Sequence, residues 1–222
     1  MRTSIYIDGF NFYYGTVKGT PYKWLDFKSL FSKILKPHHT ITSIKYFTAL
    51  VSGTPQDPDK TIRQKTYHSA LSAHIPEFEV FYGMFLSHEV SAPLAHPENN
   101  MRFARVIKTE EKGSDVNLAV QLLNDAWLDA FDCAVVVSND SHLAEAMRLV
   151  KVHHSQKLMG LITPGDRKTS KQLKAHADFV RSIRPGAIKS SQLPDPIPGT
   201  TIHKPFAWKL GEGPPCAFGN DV

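Results

Sequence analysis

Cysteine is scarce in this chain of 222 residues, which contains only Cys133 and Cys216. Two cysteines are too few for a disulfide scaffold or for a zinc site built from thiolates. No apolar run approaches the ~18 residues that a membrane-spanning helix needs, so we expect no membrane segment. Met1-Arg2 leads directly into a strand-like run, which is not typical of a signal peptide. We therefore expect a protein of the reducing cytoplasm.

Several enzyme motifs are also missing. No glycine-rich dinucleotide or Walker pattern follows the first predicted strand, which argues against a nucleotide cofactor bound there. Ser138 has no G-x-S-x-G setting, so acyl transfer is not expected. The histidine pairs at 38–39 and 153–154 lack the spacing of a zinc site. These absences exclude the commonest cofactor-dependent and serine-dependent chemistries.

The charge of the chain is moderately positive, with a formal net charge of +5. The basic residues concentrate towards the C-terminal half, where Arg167, Lys168, Lys171 and Lys174 follow one another closely. A phosphate backbone is the polyanion that such a surface attracts most commonly. The charge of the chain is therefore consistent with RNA as a partner.

The order of predicted elements indicates an α/β fold. Strands are predicted at 3–7, 43–51, 78–85, 133–138, 157–163 and 179–183, with helices at 24–35, 59–73, 114–131, 141–152 and 169–176. The segment Ser87–Glu98 is predicted as a loop, and 101–108 as an extra strand. Alternating strands and helices require crossover connections and a mainly parallel sheet.

The composition of the chain divides it into two segments. Residues 1–184 are predicted to form one domain. Residues 185–222 are rich in proline and glycine and cannot form a core alone, so they are either an arm on the domain or disordered.

Three aspartates lie where chemistry is expected on such a sheet. Asp8 and Asp140 follow β-branched runs, and ligands bind parallel sheets at the carboxyl ends of strands near the point where the strand order reverses. Asp115 begins a helix, and the extra strand at 101–108 would return the chain to the carboxyl edge before it. Taken singly, each aspartate is also explained by a turn, a helix dipole or an N-cap. Carboxylates brought together repel unless a cation neutralises them, so we predict a Mg²⁺ or Mn²⁺ site.

Further polar residues surround these aspartates in sequence. Asn11 would fix a carboxylate or contact phosphate, although a turn amide explains it nearly as well. His142 would be a metal ligand, a phosphate contact or simply exposed. We assign four residues to substrate binding: Lys112, Ser138, Asn139 and His142. The aromatics Phe10, Tyr13 and Tyr14 belong to the core or stack on bases.

Three short segments resemble the motifs of a known family. Tyr6–Asn11, Lys112–Val116 and Val137–Ser141 are similar to the three motifs of the NYN domain family, relatives of the PIN-domain nucleases, and the resemblance covers residues 3–183. It implies a PIN-like three-layer sandwich and a Mg²⁺- or Mn²⁺-dependent endoribonuclease. Asp8, Asp115 and Asp140 would bind the metal, with Asn11 as a further catalytic residue. The resemblance also leaves a homodimer open, because PIN-like domains often dimerise.

One position departs from the family pattern. The family often has a second aspartate two residues after the one that matches Asp140, and here that residue is His142. An imidazole lowers the negative charge of the site and favours softer ions than Mg²⁺. Two alternatives to a nuclease therefore stay open. One is a non-catalytic RNA-binding or regulatory module. The other is a small-molecule enzyme that reuses the sheet-edge pocket with the Pro-rich tail as a lid.

Overall fold

The computed structural model describes residues 1–98 and 101–209. Its strands are β1 Arg2–Asp8, β2 Thr40–Thr48, β3 Phe78–Tyr82, β4 Met84–Glu98, β5 Met101–Lys112, β6 Cys133–Val137, β7 Leu158–Thr163 and β8 Phe179–Ser182. Six of them form one parallel sheet in the order β3-β2-β1-β6-β7-β8. This is a doubly wound order, and it reverses between β1 and β6.

Helices cover both faces of this sheet. They are α1 Gly9–Phe12, α2 Phe27–Ile34, α3 Lys60–His74, α4 Ser114–Trp127, α5 Ala144–His153, α6 Lys171–Lys174, α7 Pro185–Lys189 and α8 Phe206–Lys209. A π-helical turn, Tyr13–Val17, follows α1, and a 3₁₀ turn, Ser141–Leu143, precedes α5. One buried cluster joins α2 and α3 to the sheet, and a second joins α4 and α5 to its other face. The expected three-layer α/β sandwich is therefore confirmed.

The carboxyl ends of β1 and β6 meet at the reversal of strand order. Ile7 pairs with Val137 in this parallel ladder, so the residues that follow them, Asp8 and Ser138, leave the sheet side by side. Both strands are almost completely buried because helices cover both faces. The predicted adjacency of these two strands is thus confirmed, and it fixes the place of the candidate site.

The segment between β3 and α4 differs from its prediction. Ser87–Glu98, predicted as a loop, belongs to β4, and the extra strand predicted at 101–108 is β5, which runs to Lys112. Within the residues that the structure describes, β4 and β5 pair only with each other, as an antiparallel ribbon outside the sheet. Pro93 and Pro97 suggested a loop, but outward-facing backbone positions of a two-stranded ribbon have no ladder partner and so accept a proline, which lacks an N–H. Pro97 also lies where the register of the ribbon shifts. The ribbon leaves and rejoins the domain at the carboxyl edge, as the placement of Asp115 requires.

Smaller differences concern the ends of elements. β2 begins at Thr40 rather than residue 43, and β3 ends at Tyr82 rather than residue 85. α4 ends at Trp127 rather than Phe131. Asp129 after it has φ of 51°, a left-handed conformation that stops a helix. These shifts leave the order of the elements unchanged.

The described part of the C-terminal extension lies on the domain. Ile188, Leu193 and Ile197 are buried in the same cluster as α2 and α3. The extension also forms backbone hydrogen bonds to the segment before α2, including Leu193 N to Trp24 O at 2.9 Å. Residues 210–222 lie outside the described part. Among the residues that the structure describes, no helix is both long and apolar enough to cross a membrane.

Candidate metal centre and adjoining cavity

Asp8 ends β1 and caps α1. Its carboxylate is only 3% exposed and accepts hydrogen bonds from the backbone N of Asn11 at 3.0 Å and from Asn11 Nδ2 at 2.7 Å. The next residue must be small, because a Cβ at Gly9 would meet the carbonyl oxygen of Phe47 at 2.7 Å. Asp8-Gly9 is therefore more than a turn signal, since it holds a buried carboxylate at the sheet edge.

Asp140 is joined to Asp8 through one hydroxyl. Ser138 Oγ donates to Asp8 Oδ2 at 2.7 Å and accepts from the backbone N of Asp140 at 3.0 Å. Asp140 in turn caps the 3₁₀ turn by accepting from His142 N at 2.9 Å. Ser138 is completely buried, so the structure gives it the position of a residue that orients the two aspartates.

Asp115 lies at the same edge of the sheet, just after the root of the β4–β5 ribbon, where the two ribbon strands join the domain. Gly113 has φ of +96°, which turns the chain from β5 into α4, and Ser114 N donates to Glu111 Oε1 at 3.0 Å. Gly83, at the other side of the root, lies so close that a Cβ there would meet the carbonyl oxygen of Lys112 at 2.5 Å. This tight neck places Asp115 in the first turn of its helix beside the ends of β1 and β6.

Three side chains converge closely enough to share one ion. Ligand atoms of Asp115, Asp140 and His142 all lie within 4.8 Å of one another. Asp8 lies outside this group of ligand atoms. Its oxygens accept three hydrogen bonds, and its role as a direct ligand stays a prediction. Two carboxylates and an imidazole form a ligand set that suits Mn²⁺ and also accepts Mg²⁺. We call Asp8, Asp115 and Asp140 the acidic cluster.

The electrostatics of this cluster are those of crowded carboxylates. Burial raises the pKa of Asp115 to about 7, with further contributions from Asp8, Asp140 and Glu111, while His142 opposes them. Burial also raises the pKa of Asp8, against the hydrogen bonds from Asn11 and Ser138 that lower it. A bound cation would relieve both effects, and such shifts are common at functional sites. Glu111 was not among the residues predicted for the site.

The remaining predicted residues lie around this cluster. Asn139 accepts from Ser170 N at 2.8 Å and donates to the carbonyl oxygen of Lys168 at 3.2 Å, so it ties the basic loop after β7 to the site. The side chains of Arg167 and Lys168 in that loop are exposed. Lys112 forms an ion pair with Glu110 at 3.0 Å. The substrate contacts assigned to Lys112, Asn139 and His142 stay predictions.

A partly open cavity adjoins the acidic cluster on the side of α2 and α3. It has a volume of about 180 Å³, and Gly9, next to Asp8, forms part of its wall. Aromatic side chains form a large part of the rest: Phe10, Phe12, Tyr13, Tyr14, Phe27, Tyr46 and Tyr67. Trp208, from α8 of the C-terminal extension, completes the wall, with its ring centroid 5.9 Å from that of Tyr67. We call this space the aromatic cavity.

The polar groups of the aromatic cavity are mostly neutral, except at its rim. Burial lowers the pKa of His68 to about 4, and its Nδ1 lies 2.8 Å from the hydroxyl of Tyr82. Burial and the charge of Asp8 raise the pKa of Tyr46. The rim carries three basic side chains, Lys23, Lys60 and Arg63, against one carboxylate, Asp57. Sequence reasoning missed this cavity, although the aromatic residues after Asp8 were a partial signal.

Comparison with known proteins places this geometry in a family. The chain is 36% identical over 237 aligned positions to 6-hydroxy-3-succinoylpyridine 3-monooxygenase HspA of Pseudomonas putida (strain DSM 28022 / S16), covering 94% of this chain and 75% of that protein. Its fold is similar to the crystal structure of a protein of unknown function from Vibrio parahaemolyticus RIMD 2210633. That likeness has a TM-score of 0.53 and 19% identity, and covers 83% of this chain and 93% of that one. The family model of the NYN domain matches residues 2–184. The chain therefore belongs to the NYN domain family.

Proposed function

We propose that the protein is a divalent-metal-dependent ribonuclease. The observation that carries this proposal is the convergence of Asp115, Asp140 and His142 within 4.8 Å at the carboxyl edge of the sheet. Asp115, Asp140 and His142 would hold the ion, and Asp8 would orient the site through Ser138. When bound, Mg²⁺ or Mn²⁺ supplies an activated water and stabilises negative charge on phosphate oxygens.

The surroundings of the cluster support RNA as the substrate. Asn139 holds the loop with Arg167 and Lys168 beside Asp140, so exposed positive charge lies next to the carboxylates. A phosphate backbone would run along this loop and present one phosphodiester to the cluster. Asn11, which donates to Asp8, keeps that carboxylate in place for the reaction.

Cleavage of a labelled single-stranded RNA in Mn²⁺ tests the proposal. Asp115→Asn and Asp140→Asn should each reduce the rate about a hundredfold or more, because each removes a charged ligand. Asp59→Asn is the matched control, since Asp59 is exposed and its side chain makes no capping hydrogen bond. Equal cleavage by the Asp115→Asn variant and the unmodified protein would reject the assignment. RNA binding without turnover would instead favour the regulatory module.

The position of the RNA can be tested separately. The double change Arg167→Gln and Lys168→Gln should weaken RNA binding severalfold and flatten its dependence on salt, because fewer counterions are then released. Lys36→Gln is the control, because Lys36 is exposed and precedes β2 near the opposite edge of the sheet. Equal losses in the two variants would argue against this path.

A second candidate function is favoured by the aromatic cavity. The relative from Pseudomonas putida is named for a reaction on a succinoylpyridine, a small aromatic acid. A cavity of about 180 Å³ is too small for an RNA strand, and Trp208 of the C-terminal extension forms part of its wall. In this candidate the protein acts on a small aromatic acid. Saturable binding of 6-hydroxy-3-succinoylpyridine, together with absent RNA cleavage, would favour it over the nuclease.

A further inference from the structure

The aromatic cavity has the size and lining of a ligand site. Its volume of about 180 Å³ slightly exceeds the ~150 Å³ of an engineered apolar cavity that binds benzene. It therefore holds one six-membered ring but no fused system with large substituents. Tyr13, Phe27, Tyr46 and Tyr67 surround this space, and aromatic walls favour a flat ring because edge and face contacts are both available.

The rim of the cavity selects for charge. Lys23, Lys60 and Arg63 line the cavity together with one carboxylate, Asp57, and Arg63 donates to Asp57 Oδ1 at 2.6 Å. The basic side chains thus outnumber the acidic one among the described lining residues, whereas the other lining residues are apolar or neutral. An entering ring would be held best if it carried an anionic group directed back towards the rim.

We propose that the aromatic cavity binds a single aromatic ring that bears an anionic group, independently of any metal. Two kinds of molecule have this chemistry, a small aromatic acid and a pyrimidine nucleotide with its phosphate. The inference bears on both candidate functions but rests on neither, because binding in the cavity is measured without metal and without turnover.

Tryptophan fluorescence in EDTA provides the test. Of the three tryptophans, Trp208 lines the cavity and Trp24 lies 6.3 Å from it between ring centroids, so Trp127→Phe leaves only reporters near the cavity. The probes are benzoate, uridine 5′-monophosphate and benzyl alcohol. We expect saturable binding of benzoate or of the nucleotide, about tenfold tighter than that of benzyl alcohol. The anion that binds tighter identifies the source of the ligand.

Variants locate the binding. By calorimetry, Trp208→Ala should weaken binding of the preferred anion about tenfold, because it removes one wall of the cavity. Lys23→Met should weaken it about threefold, and Lys65→Met, an exposed charge on α3 outside the cavity wall, should not. Circular dichroism would verify that the variants are folded. No saturable binding of either anion, or equal binding of benzyl alcohol, would overturn the proposal, as would equal effects of the two lysine variants.

Discussion

The acidic cluster and the aromatic cavity lie next to each other but are built in different ways. The cluster depends on residues that directly follow strands or begin helices, so backbone geometry alone brings them together. The cavity depends on residues that range from Gly9 to Trp208 in the sequence, and one part of its wall comes from beyond the residues that the family model matches. One region is charged, whereas the other is lined largely by aromatic side chains. The comparison shows that a site set by the ends of strands can stand beside a pocket set by tertiary packing.

The largest expected effect concerns the C-terminal extension. A chain ending at Arg184 loses Ile188, Leu193 and Ile197 from the core, so its free energy of unfolding should fall by about 5 kcal/mol or more. Binding in the aromatic cavity should be lost, whereas the folded fraction at low temperature should still bind Mn²⁺. Thermal unfolding and calorimetry measure both effects. A chain ending at Lys209 is the control, and equal melting temperatures for the two chains would contradict the prediction.

The next largest effect is the difference in pH dependence between ion binding at the acidic cluster and anion binding in the aromatic cavity. Below pH 7 Asp115 holds a proton in the metal-free protein, because its pKa is raised to about 7, and a cation must displace that proton. The affinity for Mn²⁺ should therefore fall about tenfold for each pH unit between 7 and 5, and level off above 7. Benzoate binding in the cavity should stay constant over this range, since the pKa of His68 is lowered to about 4. Parallel pH profiles for the two ligands would contradict the distinction.

Removal of the shared hydroxyl should affect the cluster alone. Ser138→Ala frees Asp8 and the backbone N of Asp140 from their common partner, so the affinity for Mn²⁺ should fall about tenfold. Ser141→Ala, at an exposed position in the following turn, is the control. Benzoate or nucleotide binding should not change in either variant. A normal Mn²⁺ affinity for Ser138→Ala would mean that Asp8 and Asp140 are oriented by other contacts.

The smallest expected effect concerns the choice of ion. His142→Asp restores the aspartate that the family often has and adds an oxygen ligand, so Mg²⁺ affinity should rise about fivefold relative to Mn²⁺. His88→Asp makes the same change of charge on the exposed ribbon and serves as the control. Competition titrations with the two ions measure the ratio. An unchanged ratio for His142→Asp would show that the imidazole does not contribute to the selection of the ion.

The acidic cluster could be predicted from the sequence because its signals are local. Asp8 and Asp140 follow strands whose β-branched residues are easily recognised, and a parallel sheet brings such ends to one edge. Asp115 required only that the chain return to that edge before α4. The bridging role of Ser138 was missed, since a hydroxyl placed between two aspartates depends on the register of β1 and β6.

The ribbon and the cavity could not be predicted for different reasons. Pro93 and Pro97 break the usual strand pattern, and they are accepted because the ribbon has unpaired edges and a shift of register between Pro93 and Glu98. The cavity arises from contacts between residues far apart in sequence, such as Tyr67 and Trp208. No periodicity in the chain indicates that a tryptophan so near the end returns to a space beside Asp8.

The neck of the ribbon gives importance to a residue without any functional group. Gly83 and Asp115 are separated in sequence by the whole β4–β5 ribbon. Because Gly83 has no side chain, its backbone can lie directly against Lys112 and Ser114. An added methyl group there would push the start of α4 outwards, and ion-binding geometry tolerates only about 0.5 Å of such displacement. An alanine at position 83 would thus displace the carboxylate of Asp115 without contacting it. Relatives that keep all three aspartates but have a larger residue here would have lost the site.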